Sequence, residues 1–164
     1  MNTIGRVALL AGLLSCGASA ATYTSAKYKF SITPPSGWQQ GNLPGFNADF
    51  FFSPQNAGNV RPNLGVLEPL SNEGYTPAQL CSLNAKGITQ VLSSARNVKQ
   101  RFDRAANVCR ITYIASPNGP ELMFYAELHF ARSRYYVATF TAPDGAYQKL
   151  LPSVQAALKT FKAR

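Results

Sequence analysis

The chain has 164 residues and carries 16 Lys and Arg against 7 Asp and Glu, a formal net charge of +9. That length suits one domain with a sizeable core, and the basic excess either favours anionic surroundings or serves solubility alone. A single histidine excludes a metal site with several histidine ligands. No Cys-x-x-Cys, Gly-x-Ser-x-Gly or glycine-rich phosphate motif occurs. We therefore predict a binding or accessory protein without a cofactor rather than an enzyme.

The first 20 residues have the pattern of a secretory signal peptide. Arg6 precedes an apolar run over residues 7–14, and the small residues Ala18 and Ala20 predict cleavage before Ala21. The run is shorter than the roughly 20 residues that span a bilayer, and we expect no transmembrane helix in the mature chain. Cleavage removes Arg6 from the 16 basic residues, which leaves 15 against 7 acidic ones, a net charge of +8. We predict an exported periplasmic or cell-envelope protein with one domain over residues 21–164, and no chromosomal nucleic acid as partner.

The cysteines agree with export. Residues 13–16 also fit the lipobox of bacterial lipoproteins, so a lipid anchor on Cys16 is one alternative and a short buried N-terminal helix is another. Cys81 and Cys109 remain in the mature chain, and an oxidising compartment favours a disulfide bond between them. Free buried thiols, or a metal-binding or nucleophilic role, are the alternatives.

The first half of the chain predicts short strands followed by one clear helix. Gly, Pro and Asn predict loops over residues 39–47 and 54–63, and β-prone runs predict strands over residues 28–33, 48–52 and 64–67. Thr76 at the N-cap and Pro77 at the first helical position predict a helix start. Cys81 lies beside the apolar stripe of this helix, which consists of Leu80, Leu83, Ile88, Val91 and Leu92.

The second half alternates with a period of two residues and predicts a meander of antiparallel strands. These strands cover residues 98–104, 109–115, 122–130 and 135–141. A final helix follows, with Asp144 as its cap and Pro152 predicting a kink or a restart; its apolar stripe is Tyr147, Leu150, Leu151, Val154, Leu158 and Phe161. Two amphipathic helices need a sheet to cover, so we predict an α+β fold in which helices flank an antiparallel sheet. A bond from Cys81 to the inward-facing Cys109 would join helix to sheet.

Two groups of polar residues are candidate sites. Tyr125, Glu127 and His129 share one face of a predicted strand, where they form either a hydrogen-bonded cluster or the wall of a groove; a purely structural histidine is the alternative. Nothing in the spacing of the carboxylates pairs two of them for acid–base catalysis. The second group is a basic ridge on and after the first strand of the meander, made of Arg96, Lys99, Arg101, Arg104 and Arg110.

The basic ridge is open to two interpretations. Lys99 and Arg101 point to one side if residues 98–104 form a strand, and would there meet an envelope protein complex or an anionic envelope surface. Alternatively, these charges are simply solvated or protect an edge strand from aggregation.

Both ends of the sequence resemble a known family. Tyr28-x-Phe30-Ser31-Ile32-x-x-Pro35-x-Gly37-Trp38 and residues 136–143, with Tyr147, Leu158 and Phe161, are similar to the first strand and closing elements of PsbP-like and DcrB-like proteins. The resemblance implies an α/β/α sandwich and an exported accessory role without catalysis. It assigns structural roles only, to Phe30, Pro35, Gly37, Trp38 and Phe161.

Two further hypotheses about function stay open at this point. One is a metal-dependent or redox-related envelope enzyme. The other is a carrier that holds a small apolar ligand between the sheet and a helix.

Overall fold

A computed structural model describes residues 20–117 and 119–164. Residues 1–19 of the predicted signal segment, with Cys16, lie outside the described residues. The described chain forms eleven strands and two helices, which are β1 (Tyr23–Ser25), β2 (Phe30–Ile32), β3 (Gln39–Gly41), β4 (Ala48–Phe52), β5 (Asn63–Leu67), β6 (Leu70–Ser71), α1 (Pro77–Val91), β7 (Arg96–Asp103), β8 (Val108–Ala115), β9 (Leu122–Phe130), β10 (Arg134–Ala142), α2 (Asp144–Leu158) and β11 (Lys162–Ala163).

The main sheet has eight strands. Its path runs β3, β4, β5, β10, β9, β8 and β7, all neighbours are antiparallel, and β6 pairs with β10 beside this path. A smaller sheet joins β1, β2 and β11. The predicted meander is therefore confirmed as β7 to β10.

The two helices lie on opposite faces of the main sheet. Alternate residues of β9 belong to two separate cores, since Phe124 and Ala126 pack in the core under α1, whereas Tyr125 packs in the core under α2. The small sheet adds Phe30 and Ile32 to the α2 core. The predicted α/β/α arrangement is thus confirmed. In residues 20–117 and 119–164, neither helix is long and apolar enough to cross a membrane.

Helix α1 begins as its sequence predicts. The Thr76 hydroxyl accepts a hydrogen bond from the Gln79 backbone N–H at 3.3 Å, and the Gln79 side chain accepts one from the Thr76 backbone N–H at 2.8 Å. The predicted apolar stripe is partly wrong, because Leu83 and Val91 are 46% and 81% exposed. The helix turns Cys81 toward the sheet, and its geometry then directs Leu83 away from the sheet, while Val91 lies at the helix end.

Helix α2 is continuous through Pro152, so of the two predicted alternatives the restart is wrong. Pro152 is exposed, as is Gln148 one turn earlier, so the carbonyl that lacks a helical N–H partner can be solvated. The helix differs from prediction at both ends. Asp144 is not the cap; Pro143 occupies that position, and Asp144 lies in the first turn, where its Oδ1 accepts from Gln148 Nε2 at 3.3 Å. Phe161 follows the helix rather than belonging to it.

Two predicted loops are shorter than expected. Gln39–Gly41 pairs with β4 at the end of the main sheet, and Asn63 begins β5. These polar residues carry no apolar alternation, so pairing with a neighbouring strand, rather than a local pattern, makes them extended. The Pro-x-Gly-Trp corner before β3 is closed by a hydrogen bond from the Trp38 N–H to the Pro35 carbonyl at 3.1 Å, with Gly37 at a φ of +77°.

Gly65 allows the ring of Phe50 to lie close against β5. A Cβ added at Gly65 would be 2.5 Å from Phe50 Cε1, and that ring is fixed by stacking on Phe52 and by an edge contact from Phe46. We expect Gly65→Ala to lower the free energy of unfolding in urea by about 1–3 kcal/mol, the usual cost of overpacking.

Gly87→Ala is the matched control for this prediction. Nothing lies within 4 Å of a Cβ added at Gly87, and a helix interior favours Ala over Gly by about 1 kcal/mol. The control should be as stable as the parent or more so. A Gly65→Ala protein of parental stability would show that β5 does not need the close approach.

A disulfide bond joins Cys81 of α1 to Cys109 of β8. Their Cα atoms are 5.5 Å apart, within the normal range for a disulfide, and both residues are buried. The bond links the helix to the second strand from the sheet edge, in the position that the sequence predicts.

Loss of this bond should destabilise the fold. Closing a loop between residues 28 apart removes unfolded-state entropy worth about 3–4 kcal/mol. The Cys81→Ser, Cys109→Ser double variant should therefore unfold at a markedly lower urea concentration than the oxidised parent. A reductant should lower the parent's midpoint without changing that of the variant. Equal midpoints for both proteins before reduction would contradict the prediction.

Candidate functional site

Helix α2 contacts β9 and β10, and α1 contacts β7 and β8 from the opposite face. Within residues 20–117 and 119–164, no helix covers the α2 side of β7 and β8, and we call this side the open face. The register assigns residues to this open face, because Lys99 pairs with Thr112 and Thr112 with Tyr125, whose ring belongs to the α2 core.

The next row across the same face is charged. Arg101 of β7 pairs with Arg110 of β8, and Arg110 pairs with Glu127 of β9. Arg101 and Lys99 therefore lie on one face of β7, two residues apart, as a strand requires. The structure brings the predicted basic ridge and the predicted polar cluster together, and Arg110 is the residue that connects them.

The five ridge residues differ in their surroundings. Arg96 forms an ion pair with Glu121, and a β-bulge between Arg96 and Lys99, with Asn97 at a φ of +55°, separates it from the others. Lys99, Arg101 and Arg104 are exposed, and none of the ion pairs among residues 20–117 and 119–164 includes them. We call these three residues the cationic edge.

Arg110 is held in a network of hydrogen bonds with the buried Glu127. Its Nε donates to Glu127 Oε1 at 3.0 Å, and its Nη1 donates to Asp103 Oδ2 at 3.1 Å. The Tyr125 hydroxyl donates to the same Oε1 at 2.7 Å. Glu127 is only 6% exposed, so these partners compensate the cost of burying its charge.

His129 lies beside the second carboxylate oxygen of Glu127. Its Nε2 lies 3.2 Å from Glu127 Oε2. The approach lacks the alignment of a hydrogen bond, and Nε2 is buried with no aligned partner in the described part of the chain, so we treat the contact as electrostatic. The ring of Phe161 lies against the imidazole at a centroid distance of 4.4 Å.

The network controls the ionisation of its members. Burial acts to raise the pKa of Glu127, but the His129 imidazole, the Tyr125 hydroxyl and the Arg110 charge outweigh it, so that pKa lies below its usual range. Burial, with the Glu127 carboxylate nearby, raises the pKa of Tyr125. The site therefore holds an ionised carboxylate beside a neutral phenol. A carboxylate so engaged is a weak proton acceptor.

A cavity of about 410 Å³ opens beside this network. Arg110, Tyr125, Glu127 and His129 line it from the sheet; Gln155, Lys159 and Phe161 line it from α2 and the segment after it. Gln155 and Lys159 are not predicted as site residues, because no local pattern in the sequence shows which helix residues border an open sheet face.

The described residues outside this network add little metal-binding chemistry. Cys81 and Cys109 are consumed by their disulfide bond. In residues 20–117 and 119–164, no group of three or more His, Cys, Asp or Glu side chains is placed to hold a metal ion.

The polar network should give the protein a specific acid sensitivity. Because the pKa of Glu127 is lower in the folded state than in the unfolded chain, its stabilising contribution is present above the ordinary glutamate pKa. That contribution is lost as the pH falls through the folded-state pKa. We expect Glu127→Gln to lower the free energy of unfolding by about 1–3 kcal/mol at neutral pH. Urea unfolding at about pH 7 and about pH 3 should show that acidification lowers the free energy of unfolding less in this variant than in the parent.

Glu121→Gln provides the control, since the Glu121 carboxylate is half exposed and its ion pair with Arg96 lies at the surface. Surface pairs contribute at most about 1 kcal/mol, so this variant should keep the parental acid sensitivity. An unchanged acid sensitivity in Glu127→Gln would show that the buried carboxylate is not stabilised by its partners.

Comparisons with solved structures identify the fold. The chain is similar to cyanobacterial PsbP from Synechocystis sp. PCC 6803, with a TM-score of 0.61 and 12% identity over 94% of this chain and 99% of that protein. It is similar to a Pseudomonas aeruginosa protein of unknown function, with a TM-score of 0.62 and 14% identity over 88% and 96% of the two chains. It is also similar to LpqN of Mycobacterium tuberculosis, which is involved in cell envelope biogenesis, with a TM-score of 0.59 and 12% identity over 87% of this chain and 88% of that protein.

At the level of sequence, no protein-family model matches and no curated protein is similar. The structural similarity agrees with the order of elements that the resemblance at the two ends of the sequence implies. The chain has the PsbP-like fold.

Proposed function

We propose that this chain is an exported, non-catalytic binding protein of the bacterial cell envelope, and that it acts as an accessory subunit of a larger assembly. The observation that carries the proposal is the cationic edge. Lys99, Arg101 and Arg104 are exposed at the side of the sheet without a described ion-pair partner. Three unneutralised charges on one strand and its turn form a local positive field that attracts an anionic partner.

Several features support an envelope location. A structural neighbour, LpqN, is involved in cell envelope biogenesis, and the disulfide bond fits an oxidising compartment. The predicted signal segment supplies the export route, by cleavage before Ala21 or by lipidation of Cys16.

The surroundings of the acidic residues favour binding over catalysis. Glu127 and Asp103 are engaged by Arg110, and Glu121 is engaged by Arg96. Three of the 7 carboxylates are thus neutralised within the protein, whereas the cationic edge is left for an external partner. The carboxylate beside the cavity already accepts two hydrogen bonds and is ionised, which suits a structural role on the wall of a binding surface.

Charge reversal tests the docking role of the cationic edge. The Lys99→Glu, Arg101→Glu variant should lose at least about 90% of its retention on washed envelope membranes, since each buried or partly buried charge contact is worth about 1 kcal/mol or more. Retention of the parent should fall as the salt concentration rises, because exposed charges are screened. The measurement is the amount of protein recovered from the membranes at equal protein concentration.

The control variant is Lys86→Glu, Lys149→Glu, which reverses two exposed lysines on the helices and changes the net charge equally. It should be retained like the parent. Equal loss in both variants would mean that only the overall charge matters, and full retention of both would exclude the cationic edge as the docking surface.

A further inference from the structure

Strand β7 is an open edge of the main sheet. It stands last in the strand order and contains eight residues, whereas the opposite edge strand β3 contains three. On its outer side β7 pairs with no strand formed by residues 20–117 or 119–164. Lys99, Gln100 and Arg101 are all exposed although neighbouring side chains of a strand point to opposite faces. The outer side of this stretch is therefore accessible to solvent, although α1 packs on one face of β7, and its outer backbone groups can accept another strand.

The charges on this edge select what can pair with it. A second copy of β7 would place Lys and Arg side chains beside Lys99 and Arg101, and like charges on adjacent strands destabilise pairing. The same positions favour a strand with acidic side chains opposite them. The edge therefore resists self-association and is complementary to an acidic chain.

The other face of β7 adds a second requirement. Gln100 Nε2 donates to Ser82 Oγ of α1 at 3.2 Å, and the ring of Phe102 packs edge-on against Phe130 at 6.1 Å. Neither Gln100 nor Phe102 carries a charge. A strand added here would meet Lys99 and Arg101 on one face, followed by Asp103 in its ion pair with Arg110, and uncharged side chains on the other face. Acidic residues opposite the two cations, alternating with apolar or hydroxyl residues, match both faces.

We propose that the envelope partner is a polypeptide whose extended, acidic segment adds to the main sheet as a strand beside β7. This inference rests on the proposed function and names the chemistry of the partner. Backbone hydrogen bonds to the outer edge of residues 99–103 supply part of the affinity. Contacts from acidic side chains to Lys99 and Arg101 determine which segment binds and in which orientation. The β-bulge before Lys99 marks the end of the regular edge.

A synthetic peptide tests strand addition. It has the length of β7, with Glu alternating with Val or Thr, and it is titrated into the oxidised mature protein. Two further versions carry N-methyl groups on alternate backbone nitrogens. One version is methylated at the odd-numbered residues of the peptide, and the other at the even-numbered residues. The N–H groups of successive residues in a strand point to opposite edges, so only one set would face β7. Methylation keeps every charge and removes hydrogen-bond donors.

The expected result is asymmetric. The unmodified peptide and one methylated version should bind, and the other version should bind at least about tenfold more weakly, since it loses several backbone hydrogen bonds to β7 at once. Amide hydrogen exchange should slow in residues 99–103 on binding. The Lys99→Glu, Arg101→Glu variant should bind none of the three peptides, and Lys86→Glu, Lys149→Glu should behave like the parent.

Two other outcomes would contradict strand addition at β7 but leave the proposed envelope function supported. Equal binding of all three peptides would show association by charge alone, as expected for an anionic lipid or polysaccharide surface. Absence of binding by the unmodified peptide would exclude an acidic strand as the partner. In either case, charge-dependent retention on membranes would still support the envelope role, whereas loss of that dependence would remove the proposed function itself.

Discussion

The register of the β7–β10 meander decides where the sheet residues of the candidate site lie. Side chains alternate between the two faces of these strands, so a shift by one residue would exchange the α1 core with the charged surface. In the observed register, Ile111, Ala126 and Leu128 enter the core under α1. Arg110 and Glu127 are paired neighbours on the other face. The Cys81–Cys109 bond fixes α1 to the same register, because Cys109 must face that helix.

The two helices cover different strands on the two faces of the meander, and this leaves part of one face exposed. Both helices have 15 residues, yet α1 lies over β7 and β8 whereas α2 lies over β9 and β10. On the open α2 side of β7 and β8, Lys99, Arg101, Arg110 and Thr112 are polar or charged, as is typical of a solvent-facing sheet face. At the border with α2, burial becomes deep enough that Glu127 needs Arg110 and Tyr125 as partners. The cationic edge, the polar network and the cavity are thus successive parts of one face.

Much of this arrangement follows from the sequence, and the exceptions have physical causes. Period-two alternation predicts β8, β9 and β10 almost to the residue, because both faces of these strands are set by burial. The Thr76–Pro77 start and the Cys81–Cys109 bond also follow from local chemistry. Strands β1, β3, β6 and β11 have three residues or fewer, too few for a period to be visible, and tertiary pairing makes them extended.

The site is less predictable than the fold. Sequence alternation correctly places Tyr125, Glu127 and His129 on one face, but it assigns Arg110 to the basic ridge without showing that Glu127 neutralises it. That contact depends on the pairing of β8 with β9, which no local pattern contains. The contribution of Lys159 to the cavity depends on how α2 crosses the sheet. The partition of five basic residues into paired and unpaired charges is therefore a product of tertiary structure.

We propose that the edge of the sheet at β7 is the surface that meets the envelope partner. Photo-crosslinking in intact cells tests it most directly, with a photoreactive side chain in place of Gln100, which lies between Lys99 and Arg101 and leaves both charges in place. The same side chain in place of Gln148, an exposed residue of α2, is the comparison. We expect a discrete crosslinked polypeptide from position 100 and none from position 148. Crosslinks from position 148 alone, or from neither position, would contradict it.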